Sequence, residues 1–145
     1  MARKHPLPEF LRTKGVEEAA FCRWLHRKAC AHVRRDRKRG YENITAGPYK
    51  ERIYRAVIEA AGRDFFSGEA LDWRLISKWT NDEAANGRGV YKRQFWNIPT
   101  VDHEDPTNPK SPLRLCSWRV NDTKNDRTIT ELLDLADRIR AHTRR

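Results

Sequence analysis

The sequence predicts an α+β fold, a mainly helical small domain around a hairpin-plus-helix core. Three observations carry this. Apolar residues recur at helical spacing over residues 16–39, 48–61 and 128–140. Two short β-prone runs, 98–103 and 113–117, flank a connection holding Pro106, Pro109 and Pro112, which cannot be helix interior. The length of 145 residues suits one compact domain, and five Trp, five Phe and four Tyr supply bulky apolar area for its core.

Taken in order, residues 1–15, with Pro6 and Pro8 among mixed charges, read as an extended N-terminal arm. Residues 16–47 form a basic helix and linker. Val16, Ala20, Phe21, Trp24 and Leu25 make its apolar face, Glu17 and Glu18 suit its positive end, and Gly40 stops it after Arg39. Residues 48–145 carry the rest. Pro48 opens a second helix at its favoured first-turn position, with Tyr49, Ile53, Ala56, Val57 and Ala60 inward and Gly62 as its stop. Residues 63–68 read as a short strand and turn, with Phe65 and Phe66 in the core. Asp72 caps a short helix facing Leu75, Ile76 and Trp79 inward, and the polar stretch 81–89 reads as a mobile loop. After the hairpin come a short helix over 118–126 and a last helix. Thr128 and Glu131 form a capping box for the latter, and Ile129, Leu132, Leu133, Ala136 and Ile139 form its stripe, expected to be buried.

The composition narrows the function. Thirty Lys and Arg against 20 Asp and Glu give a net charge of +10, and polyanions are the natural partners of such a surface. No apolar run approaches the length of a membrane span and no signal region is evident. Cys22, Cys30 and Cys116 are odd in number and scattered, which suits reduced thiols in a cytoplasm. Cys22, His26 and Cys30, four apart on one helix, admit a metal site or ordinary helix packing, and packing is the simpler reading. The run Arg34, Arg35, Arg37, Lys38 and Arg39, broken only by Asp36, is either a solvated helix end or a phosphate-gripping segment; its density and the overall charge favour the second. Arg88, Lys92 and Arg93 could reach the same ligand.

Asp102, His103 and Asn121 carry the chemistry. If strand, strand and helix fold together, a carboxylate and an amide carbonyl offer hard oxygens suited to Mg²⁺ or Mn²⁺, the remaining positions going to water and phosphate. An adjacent His, titrating near neutrality, is placed to take a proton from water.

The segments Val101-Asp102-His103-Glu104-Asp105-Pro106 and Leu115-Cys116-Ser117-Trp118-Arg119-Val120-Asn121-Asp122-Thr123-Lys124-Asn125-Asp126 resemble the ββα-metal motif of the HNH endonucleases. The resemblance covers about residues 98–126. It implies that Asp102 and Asn121 hold the catalytic divalent ion and that His103 is the general base. Lys124 would support the phosphate or pack the helix, and DNA would be cut to a 5′-phosphate and a 3′-hydroxyl. The family's base-orienting Asn has Asn108 as its nearest counterpart and Ser111 as a weaker one. With no CxxC pair in the chain, no structural zinc is implied. Arg119, on the same helix, joins the expected DNA contacts. One such centre cuts one strand, so cutting both requires a homodimer or two successive nicks. The alternative is a non-catalytic DNA- or RNA-binding protein that keeps the hairpin as scaffold.

Overall fold

A computed structural model describes residues 2–42, 44–78 and 93–144. The elements in chain order are α1 (Glu9–Arg12), α2 (Glu18–Lys38), α3 (Ala46–Glu59), a 3-10 turn (Trp73–Ser77), β1 (Pro99–His103), β2 (Leu113–Ser117), α4 (Trp118–Lys124) and α5 (Ile129–Thr143). The α+β expectation holds: among the described residues, helices accompany one antiparallel two-stranded sheet. Among the described residues no helix is long and apolar enough to cross a membrane.

The long helix α2 forms where the 3.6-residue pattern predicts it. Phe21, Trp24, Leu25, Ala29, His32, Val33 and Asp36 are its buried residues, a single stripe at spacings of three and four. Gly40, at φ +85°, turns the chain away beyond its end. Helix α3 returns against it through Tyr49, Ile53, Ala56 and Val57. The arm reading of residues 1–15 is corrected: α1 lies within them, and Leu7 and Leu11 are buried in the core. Pro8 begins α1 as its N-cap instead of keeping the segment extended. Gly62, at φ +73°, sits where an added Cβ would meet the Phe10 ring at 3.0 Å, so this turn supplies the close approach that seats α1.

The register of the hairpin pairs Asp102 with Arg114 and His103 with Leu113. Alternation then puts Val101, His103, Leu113 and Leu115 on one face, and Thr100, Asp102 and Cys116 on the other. The first face joins the core formed with α2 and α3. A two-stranded sheet leaves outward carbonyls on both edges. Helix α2 covers one edge, where Trp24 Nε1 donates to Pro99 O (3.1 Å) and His32 Nε2 to Val101 O (3.1 Å). On the other edge Phe65 N donates to Leu115 O (2.8 Å).

Three further expectations change. Phe65 is 43 % exposed and lies under the Arg114 guanidinium, 4.1 Å from the ring centre. The buried residue of that turn is Asp64, which accepts from Phe66 N, Ser67 N and Ser117 N and so ties the turn to the end of β2. The Asp72 cap is present, but it starts a 3-10 turn, and Trp79 and the stretch 81–89 lie outside the described residues. The capping box of α5 forms as expected, yet its stripe is not buried: Leu133 is 57 % and Ile139 54 % exposed. Periodicity specifies which face is apolar, not that a neighbour exists to cover it.

Candidate functional site

The site lies where the end of β1, the start of the proline-rich connection, α4 and the C-terminal half of α2 meet. Asp102, His103 and Asn121 line one cavity of about 250 Å³ there, with Arg35 and Arg39 from α2. Its wall also carries Asp122, Asn125 and Asp126. The three residues singled out by their chemistry therefore border one cavity.

Alternation along β1 explains the division of labour between its last two residues. Asp102 faces α4 and His103 faces α2 and α3. Asp102 Oδ2 accepts from Lys124 Nζ at 2.8 Å, and the same ammonium donates to His103 O at 3.1 Å. Lys124 is fully buried. Of its two expected roles, supporting the phosphate or packing the helix, these contacts agree with the second: the ammonium is committed to the end of β1. Asn121 is half-buried, and its backbone carbonyl accepts from Asn125 N in the last turn of α4. Ser117 starts that helix by accepting from Val120 N, which fixes the angle at which α4 leaves the sheet.

His103 is only 2 % exposed. Its Nε2 is turned inward, 3.5 Å from Asp36 Oδ2, and Asp36 is itself fully buried. Tyr49 donates its hydroxyl to the same carboxylate oxygen. The His32 ring stacks on Tyr49 with centroids 5.8 Å apart and meets His103 edge-on at 5.2 Å. With Nε2 facing Asp36, Nδ1 is the nitrogen left for the cavity that His103 lines. Burial holds His103 below its usual pKa, against the pull of Asp36, so the neutral, proton-accepting ring is favoured. His32 is driven down to about 3, mainly by burial and then by His103, and its donation to Val101 O assigns the proton of that neutral ring to Nε2. Tyr49 is raised to about 12 by burial and then by Asp36, which keeps its hydroxyl a donor.

Neither sequence candidate for orienting the base touches it. Asn108 accepts from Lys110 N within the connection, and Ser111 Oγ accepts from Asp105 N and donates to Asp105 O. Asp36 is the residue that sequence reasoning missed. A signal was present: it is the lone acid in a run of cations, and it falls four residues after His32 on the buried stripe of α2.

The basic residues divide. Arg35 and Arg39 line the site, although Arg39 also donates to Pro106 O at 3.1 Å. Arg34 is exposed and lines an adjoining, larger cavity. Arg37 donates to Ile44 O (2.9 Å) away from the site, and Lys38 is exposed. Arg119 pairs with Glu69 at 2.6 Å and lies over Trp96 beside Arg93. Arg88 and Lys92 lie outside the described residues. On α2, Cys30 Sγ lies 3.5 Å from His26 Nε2, while Cys22 accepts from Arg3. Among the described residues no three His, Cys, Asp or Glu side chains converge as a metal cage.

No protein-family model, curated protein or solved structure matches the chain.

Proposed function

We propose that this chain is a metal-dependent DNA endonuclease of the HNH type, which hydrolyses phosphodiester bonds to a 5′-phosphate and a 3′-hydroxyl. The single observation that carries the reading is the convergence of Asp102, His103 and Asn121 on one cavity with Arg35 and Arg39 beside them. The donor set fits a hard divalent ion. The Asp102 carboxylate commits only Oδ2 to Lys124, Asn121 lines the same cavity, and further carboxylates and an amide belong to residues of the wall. Two protein ligands with water and phosphate completing the shell are how Mg²⁺, or Mn²⁺ in its place, is held at such sites. Bound there, the ion would neutralise charge on the phosphoryl and leaving oxygens.

The chain's own residues do the rest. Arg35 and Arg39 draw a phosphate into the cavity. His103 accepts a proton from the attacking water at Nδ1, the nitrogen not turned toward Asp36. The Asp36 carboxylate, steadied by Tyr49, lies 3.5 Å from His103 Nε2 without a hydrogen bond to it, and its charge favours the imidazolium formed as the water is deprotonated. Lys124 fixes the strand end from which both Asp102 and His103 project. The free thiols Cys22, Cys30 and Cys116 suit a cytoplasmic protein. A duplex would be severed by two copies or by two successive nicks.

The burial of His103 favours one other reading, a DNA- or RNA-binding protein without catalysis, in which the buried imidazole is part of the scaffold. Nicking of supercoiled plasmid in Mg²⁺ or Mn²⁺, its loss in chelator, and its loss in His103→Ala with DNA affinity intact are the expected results. Unchanged nicking by His103→Ala would remove the base assignment. DNA binding that weakens steeply with salt, with no cleavage under any divalent ion, would leave the binding reading in its place.

A further inference from the structure

Beside the site lies a cleft of about 660 Å³, most of whose lining takes no part in the hydrolytic centre. It shares Arg35, Trp118 and Asn121 with the smaller cavity, so the two adjoin. Its two walls differ in chemistry. Helix α2 supplies Arg27, Lys28, Arg34 and Arg35, while Ile76, Ile98, Pro99 and Trp118 form an apolar side. Two of the cations are anchored: Arg27 Nη2 donates to Ile76 O at 2.9 Å, and Nζ of the half-buried Lys28 to Thr100 Oγ1 at 3.1 Å. Arg34 and Arg35 are exposed, and neither forms an ion pair with a carboxylate among the described residues. Four basic residues and an apolar set lining one volume suited to a small organic group match a nucleotide: charge at the phosphate, a flat face at the base. Burial and the neighbouring Arg27 bring Lys28 down to about 8, so an anion arriving in the cleft relieves repulsion already present there.

We propose that this cleft binds one unpaired nucleotide next to the phosphate being cut, with its base against Trp118 and Ile98 and its phosphate on Arg34 and Arg35. The preferred substrate is then DNA with a single-stranded stretch at the cut, since a base within a duplex stack presents no free face to an apolar wall. This rests on the nuclease reading for the position of the cut, but not for the binding itself.

The test uses the full chain in chelator, so that nothing is cut, and measures anisotropy of a labelled eight-nucleotide single strand and of the blunt duplex of the same sequence. The single strand is expected to bind at least tenfold more tightly. Arg34 lines the cleft and not the hydrolytic cavity, and Arg34→Ala is expected to flatten the slope of log affinity against log salt by about 0.7, one phosphate contact. Trp118→Ala is expected to weaken the single strand roughly tenfold and the duplex little. Arg34 is exposed, so its test stands even if Trp118→Ala fails to fold. Equal affinity for strand and duplex, or an unchanged salt slope in the arginine variant, overturns the cleft assignment. Plasmid nicking reports on the hydrolytic centre alone: a nicking protein without strand preference loses only the cleft, and a strand-preferring protein that never nicks loses only the chemistry.

Discussion

Replacing Lys124 by Met tests the internal support of the site. Its ammonium is fully buried, 2.8 Å from Asp102 Oδ2 and 3.1 Å from His103 O, and Asp102 is itself 5 % exposed. Met is one atom shorter, of similar volume and uncharged, so the loss is chiefly the pairing. Removing one partner of a buried pair costs about 3–5 kcal/mol, because the other charge stays buried without compensation. That is a large share of the roughly 5–15 kcal/mol that holds a domain together. The measurement is urea unfolding of wild type, Lys124→Met and Asp102→Leu/Lys124→Met, comparing midpoints at equal slopes. The double variant is expected to regain most of the stability, since an apolar pair of similar volume substitutes for a buried ion pair at little cost. It is expected to cut no DNA, because the carboxylate is gone. A loss below about 1 kcal/mol in the single variant would mean an exposed, solvated pair and would refute the positioning role.

Two other outcomes follow from the buried polar cluster. Asp36→Asn keeps the volume but removes the charge facing His103 Nε2; nicking is expected to fall on the order of 10²-fold or more with DNA affinity unchanged, and full activity would separate Asp36 from the base. Acid is expected to destabilise the fold from about pH 6.5 downward. His32 has its folded pKa depressed to about 3, so the unfolded chain takes up a proton that the folded chain refuses, and stability falls with pH by at most about 1.4 kcal/mol per unit across that window. His103 acts in the same direction. His32→Gln, which retains a donor for Val101 O, is expected to flatten the slope between pH 6.5 and 4.5 in urea midpoints; an unaltered slope would contradict the assignment.

Local signals were legible in the sequence because local physics produces them. The α2 and α3 stripes, the proline-interrupted hairpin, the Ser117-started helix and the Thr128–Glu131 capping box follow from spacing, capping chemistry and proline's missing donor. Asp102, His103 and Asn121 were legible as residue types, and their sharing of one cavity follows from strand alternation and the short step from β2 into α4. What escaped depends on partners distant in sequence. Asp36 reaches His103 only because α2 lies along the free edge of β1. Asp64 is buried in place of Phe65 because the turn needs an acceptor for Ser117 N more than it needs another ring. Whether Lys124 would meet phosphate or pack its helix was open in the sequence, and only the depth at which α4 packs on the sheet turns it inward.

The last helix has a consequence of its own. It presents no buried residue, and its local supports are the capping box with the Arg138–Asp134 and Arg140–Asp137 pairs. Supports of that kind contribute tenths of a kilocalorie to about one each, and a detached helix of this length is marginal in water. On warming, α5 therefore frays before the aromatic cluster around Trp24 and Trp73 loosens, and no single melting temperature describes both parts of the molecule.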